Sequence, residues 1–289
     1  MVRIGWLLPV LMTLAAQVVE ASVKEPSTPL PPSSKWQIDY ASGECRLIRS
    51  FGEGKDLVTL QFARGGDIDT IDMALGGRGM PATREEVPVS VGTSTVAQVH
   101  GMHAQGIAVE DHVLGSIRFH SDIDLPKALR SDVSHGKPTV LSVVFVRGYA
   151  VALNLGSMKA PLAALDACAD DLVKGWGVDL AEMRRQRSAP QPANNVSQWF
   201  KASDYPDKQV HQGAGGLVGI RLVIGVDGAV KKCEVYKSGG DKAFEDLTCR
   251  LVSERARFHP AIGADGRPIV SLWARRVNWK PGQSFFTVQ

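Results

Sequence analysis

The sequence predicts an α+β protein of two units, a β-rich unit closed by a helix and then a small ββαβ unit. Three observations carry that expectation. Short apolar runs broken by glycine fill the chain from Trp36 to Leu155, one helical stripe follows them, and beyond Trp199 the order is strand, strand, helix, strand. At 289 residues and 44% hydrophobic, the chain can bury a sizeable core, and its length favours two ordinary domains over one large one. The formal net charge of +3 is spread too thinly for the basic stripe that nucleic-acid binding requires, so nucleic acid is not an expected partner.

Residues 1–21 carry Arg3, an apolar run from Ile4 to Ala16, and Val19-Glu20-Ala21, which together read as a signal peptide cleaved after Ala21. The run is shorter than the ~20 apolar residues of a spanning helix and is interrupted by Pro9, so a membrane role is expected only if this helix is retained. Export to the periplasm places Cys45, Cys168, Cys233 and Cys249 in an oxidising compartment, where an even count of thiols reads as bridges. Four cysteines allow three connectivities, and the division into units selects Cys45 with Cys168 and Cys233 with Cys249.

Residues 22–35, with Pro26, Pro29, Pro31 and Pro32, have the composition of a disordered linker. The β-rich unit is expected over 36–182. Its strands are read at Cys45–Phe51, Leu57–Phe62, Ile71–Leu75, Ile107–Val109, Ser116–His120, Val140–Val146 and Tyr149–Leu155. Pro161 suits a first helical turn, and Leu162, Leu165, Cys168, Ala169, Leu172 and Trp176 then follow helical spacing, so an amphipathic helix closes the unit. Arg184, Arg185 and Arg187 read as a solvated helix end, and Pro190, Pro192, Asn194 and Asn195 mark a linker over 183–198.

The second unit is expected over 199–289. Val218, Ile220, Leu222 and Ile224 alternate, Asp227-Gly228 supplies a hairpin turn, and Val230–Tyr236 returns. Asp241 can cap a helix running to about Arg257 with Phe244, Leu247, Leu251 and Phe258 on one face, and a last strand spans roughly Ile269–Trp279.

At these residues the chain resembles the TonB C-terminal domain family, found in energy transducers of Gram-negative bacteria. The elements that carry the resemblance are Tyr205-Pro206, the stretch Gly216–Ile224, Asp227-Gly228, Ser238-Gly239, Phe258-His259-Pro260-Ala261 and Asp265-Gly266-Arg267-Pro268. The resemblance implies a TonB-like ββαβ domain that grips protein partners, and a staple between Cys233 and Cys249 such as a subset of TonB-like proteins carries. It also implies a partner in the envelope, the short N-terminal box of an outer-membrane receptor. That partner would pair with the last strand, with Trp273, Arg275, Val277 and Trp279 as the partner-binding residues. An energy-transducing member also needs a retained membrane helix and a long Pro-rich spacer, whereas residues 24–34 and 188–196 are too short to span a periplasm. The first unit resembles secreted bacterial β-rich domains with an early Cys and a late Cys before Trp-Gly, here Cys45, Cys168, Trp176 and Gly177, which speaks to fold alone.

No catalytic residue, cofactor or metal is expected. The alternative reading is a secreted metal-dependent hydrolase built on His100, His103, His112 and His120 with Asp111, but no HExxH spacing is present. No G-x-S-x-G elbow surrounds any serine. Gly213-Ala214-Gly215-Gly216 precedes a strand, whereas a phosphate-cradling loop follows one and opens a helix.

Overall fold

The computed structural model describes residues 28–41, 43–65, 71–77, 87–99, 103–107, 115–120, 124–145, 149–281 and 286–288. The expected signal peptide, with His100, Asp111 and His112, lies outside the described residues. The chain is α+β.

The N-terminal unit runs β1 (Gln37–Ala41), β2 (Glu44–Phe51), β3 (Val58–Arg64), β4 (Asp72–Gly77), β5 (Val87–Gly92), β6 (His103–Ile107), β7 (Gly115–His120), α1 (Asp124–Ser134), β8 (Thr139–Phe145), β9 (Ala150–Gly156) and α2 (Lys159–Gly175). Its strands form one antiparallel sheet in the order β1-β2-β3-β4-β7-β6-β5-β8-β9. Period-two alternation sends Leu47, Leu60, Phe62, Met73, Leu75, Leu141, Val143 and Leu153 into one apolar core.

The linker expected over 22–35 is corrected in its later half. Leu30 donates its N–H to the Ala152 carbonyl and accepts from Asn154 on β9, while Pro31 and Ser33 bond Gly52 and Ser50 at the end of β2. This short segment therefore ties β9, one end of the sheet, to β2 near the other end, and Arg49 reinforces it through the carbonyls of Ser34 and Leu155. Proline is tolerated there because a segment bonded along one side can spare its N–H. The helix α2 packs on β2, burying Leu162, Leu165 and Cys168, and the Cys45–Cys168 disulfide fixes it there.

Sequence periodicity predicts no helix at 124–134, where α1 forms. In α1 only Leu125, Ala128 and Leu129 supply the buried stripe, and the next position on that face is Asp132, which is fully buried. Its carboxylate accepts from the backbone N–H groups of Ser94 and Thr95 and from the hydroxyls of Thr93 and Thr95. Burial opposes its ionisation, but the bonds from Thr95, Thr139 and Thr93 outweigh burial and hold this carboxyl below its ordinary value.

The C-terminal unit runs α3 (Leu180–Arg184), β10 (Gln191–Pro192), α4 (Asp207–His211), β11 (Gly216–Ile224), β12 (Val230–Gly240), α5 (Ala243–Arg255), β13 (Phe258–His259), β14 (Ala261–Ile262), β15 (Pro268–Ile269), β16 (Ser271–Trp279) and β17 (Phe286–Val288). The main sheet has the order β12-β11-β16-β17. The stretch expected to be a linker over 183–198 is built into this unit: Met183 is buried, Gln191 pairs with His259, and Asn194 accepts from the Trp199 indole and the Arg257 N–H.

One face of the sheet is covered by α5. Val218, Ile220, Leu222 and Ile224 from β11 meet Phe244, Leu247, Leu251 and Val252 from α5, each such side chain contributing about 1.5–3 kcal/mol when fully buried. Trp279 stacks on Phe244 at 5.2 Å and its indole donates to Thr248 at 2.9 Å, so its polar atom is satisfied within the core. Cys233 on β12 is bonded to Cys249 on α5. The turn at Asp227-Gly228 docks on β13, with the Phe258 N–H donating to the Gly228 carbonyl at 2.9 Å.

Candidate functional site

The last long strand, β16, was read from sequence as a sheet edge whose side chains meet a partner. The structure corrects part of that. Over Val277–Trp279 the outer side of β16 is paired with β17, in the register Val277 with Val288, Asn278 with Thr287 and Trp279 with Phe286. Over Ser271–Arg276, among the described residues, β16 pairs only with β11, and Ser271, Leu272, Trp273 and Ala274 of this stretch are buried.

Trp273, Val277 and Trp279 point toward α5 and are buried, so their expected role in reading a partner side chain is replaced by core packing. The physical reason is that alternate residues of a strand share a face, and this face is the covered one. Trp273 is sandwiched by Trp199 and Phe258, with ring centroids 5.5 and 5.2 Å away. Arg275 belongs to the same alternation but is exposed. Its guanidinium folds back over the Trp273 ring at 4.9 Å and donates to the Ala274 carbonyl at 2.8 Å.

The opposite face of the sheet meets both the N-terminal unit and α3. Leu272 and Val223 pack with Val173, Val178, Met183 and Trp176 from the end of α2 and from α3. Arg221, in the middle of β11, is only 4% exposed. Its guanidinium lies over Trp176 at 3.1 Å, donates to the carbonyls of Gly43 and Gly65, and pairs with Glu234 at 2.7 Å. Burial pulls its pKa down, and the Glu234 contact pushes the other way. Beside it Arg276 is bonded to Asp72, which Lys237 also approaches at 3.4 Å.

Local sequence pattern alone does not reveal these contacts. The signal that could have found them is Arg221 itself, a charge inside the apolar run Val218–Ile224, which only a partner from elsewhere in the chain can satisfy.

Residues 201–281 match the family described as Gram-negative bacterial TonB protein C-terminal. They form a TonB C-terminal domain. Such domains are non-catalytic protein-interaction modules of the envelope that engage outer-membrane receptors and envelope proteins. No curated protein and no solved structure shows significant similarity to the chain.

Tyr205, one of the residues that carried the sequence resemblance, has a structural role in the TonB domain. Tyr205 is buried against Phe244 and Trp279 and donates its hydroxyl to the Ala214 carbonyl. Asp204, beside it, takes both arms of the Arg255 guanidinium, at 2.5 and 2.8 Å, which clamps the approach to the domain onto α5. That ion pair holds the Asp204 carboxyl below its ordinary range.

Of the histidines weighed for a metal, His103 and His120 stand opposite each other across β6 and β7. Among the described residues no group of three or more His, Cys, Asp or Glu side chains is placed to hold a metal ion. Among them, too, no helix is long and apolar enough to cross a membrane.

Proposed function

We propose that this chain is an exported, non-catalytic protein of the cell envelope, and that its TonB domain takes up an extended segment of an outer-membrane receptor by strand addition on the outer side of β16, in place of β17. The observation that carries the reading is the short outer pairing of β16, three residues of β17 against Val277–Trp279, within a domain whose two faces are already closed by α5 and by the N-terminal unit. With both faces occupied, main-chain hydrogen bonds at the edge are the means by which this sheet can hold another chain. A visiting strand displaces the three residues of β17 and pairs with β16 in their place.

In this reading the signal peptide is removed near Ala21 and the mature chain works in the periplasm, where both disulfides persist. The β-rich unit is an accessory or cargo-recognition body held against the TonB domain.

A second reading, a membrane-anchored energy transducer, keeps the apolar segment Ile4–Ala16 as its anchor, and N-terminal sequencing of the protein isolated from cells decides between the two.

The strand-addition reading is tested by titrating the full chain with a peptide copying a receptor's N-terminal segment and with a version carrying proline at alternate positions. Proline removes the backbone donors while keeping the rest of the peptide. The first peptide is expected to bind saturably and the second not; equal binding of both would refute main-chain pairing.

A further inference from the structure

The face of the TonB sheet that meets the N-terminal unit changes character along its length. The register sets Val223 opposite Leu272, Arg221 opposite Ala274 and Gly219 opposite Arg276, and β12 adds Glu234 beside Arg221 and Lys237 beside Gly219. At Val223 and Leu272 the contact is apolar, made with Val173, Val178 and Met183. The chain crosses from one unit to the other beside this patch, through Trp176 and Gly177 between α2 and α3, where Gly177 turns at φ +77°. Four residues away along β11, about 13 Å, the contact is ionic. There Asp72, at the start of β4, is bonded to Arg276 and approached by Lys237 at 3.4 Å. Arg276 also bonds Tyr236, and Lys237 stands 3.8 Å from Glu44, which Arg46 of the same strand holds at 2.6 Å. Asp72 thus lies between two cations of the TonB domain, and all three side chains are less than a fifth exposed.

We propose that the two units form a clamshell, hinged on the apolar patch beside the crossover and latched at Asp72, and that the latch opens when Asp72 loses its charge. The ground is the difference between the two ends. The hinge end is held covalently and by apolar contact, neither of which depends on charge. At the latch end a neutral Asp72 leaves Arg276 and Lys237 side by side where water barely reaches, and Glu44, already shared with Arg46, faces Lys237. Buried charge that has lost its partner is costly and like charges repel, whereas opening returns both cations to water. Arg221, halfway along the face, gives up the Gly43 and Gly65 carbonyls on opening but keeps Glu234 within its own sheet, so its own charge stays paired in the open form. The device is independent of where a receptor segment binds.

Small-angle scattering of the full chain at neutral pH, extrapolated to zero concentration, tests it. The wild-type chain is expected to be closed, Asp72→Asn to have a larger radius of gyration, and Asp72→Arg, which sets three cations together, a larger one still. Adding Arg276→Asp to Asp72→Arg restores the pair with its polarity reversed and is expected to return the radius to the wild-type value, a rescue that a local role of Asp72 within β4 would not give. Circular dichroism reports whether each variant is folded. Where the Asp72 variants are not, the Lys237→Glu, Arg276→Glu double variant reverses the latch from the TonB side and is expected to open the chain in the same way. A folded Asp72→Arg chain, or a folded double variant, with the wild-type radius overturns the latch. So does a larger radius in Asp72→Arg that Arg276→Asp fails to reverse, because the opening then does not come from this ion pair.

Discussion

The Arg221 guanidinium lies 3.1 Å from the centroid of the Trp176 ring, joining the middle of the TonB sheet to the end of the helix that closes the N-terminal unit. The same guanidinium satisfies two carbonyls of the N-terminal unit, of Gly43 and Gly65, and one carboxylate of its own sheet, Glu234. Arg221→Ala removes the donor shared by the Gly43 and Gly65 carbonyls and leaves Glu234 with Lys232 alone, at 2.5 Å, and is expected to cost about 1–3 kcal/mol. Scanning calorimetry is expected to show one cooperative transition for the wild-type chain and two for Arg221→Ala, the TonB domain and the N-terminal unit melting separately.

Asp132 fastens the loop after β5 to α1. Asp132→Ala removes the acceptor of the buried Thr93 hydroxyl and of the Thr95 N–H and hydroxyl, and is expected to cost about 2 kcal/mol, since a buried group left unpaired costs ~1–3 kcal/mol. Urea titration of the full chain reads this directly.

The carboxyls of Asp132 and Asp204 both sit below their ordinary values in the folded chain. A carboxyl depressed on folding contributes stability that is fully present above its unfolded value and is lost as pH falls through the folded one. Stability measured by urea midpoint is therefore expected to be level with respect to these groups above about pH 5 and to fall below about pH 4. In Asp204→Asn, which weakens the Arg255 clamp, the acid loss is expected to be shallower and to start from a lower plateau.

Gly228 stands at φ +73° in the hairpin between β11 and β12, and a Cβ there would collide with the carbonyl oxygen of Phe258. Gly228→Ala combines a left-handed backbone with that collision, so it is expected to destabilise the TonB domain by more than the ~1 kcal/mol of the backbone term alone. Thermal melting of the variant checks it.

The two disulfides close loops of very different size, with separations of 123 residues for Cys45–Cys168 and 16 for Cys233–Cys249. On the loop-entropy account they contribute about 4–5 and about 3 kcal/mol. The Cys45→Ala, Cys168→Ala double variant is accordingly expected to lose more stability than the Cys233→Ala, Cys249→Ala one.

The parts of the fold that sequence made legible are those governed by local periodicity. Alternation in Val218–Ile224, the turn at Asp227-Gly228 and the stripe Phe244, Leu247, Leu251 each specify an element without reference to the rest of the chain, and each is found buried or turned as its pattern requires. What escaped depends on distant partners. Leu30 reads as part of a Pro-rich tail until β9 is there to bond it, and the helix at 124–134 is not legible because Asp132 interrupts its apolar stripe until the loop at 93–95 satisfies that carboxylate. The candidate site was half legible for the same reason. The strand was evident, but whether Trp273 faces a partner or α5 depends on which side the helix covers, and β17 depends on a pairing that Phe286–Val288 makes only in the folded sheet.

The central claim, that β16 receives another chain on its outer side in place of β17, is tested most directly by amide hydrogen exchange of the full chain with and without a receptor N-terminal peptide. The account predicts faster exchange at Phe286–Val288, which the incoming strand displaces, with β11, already paired on both sides, unchanged. Saturating peptide that leaves exchange at Phe286–Val288 unaltered, or that protects the N-terminal unit instead, would contradict it.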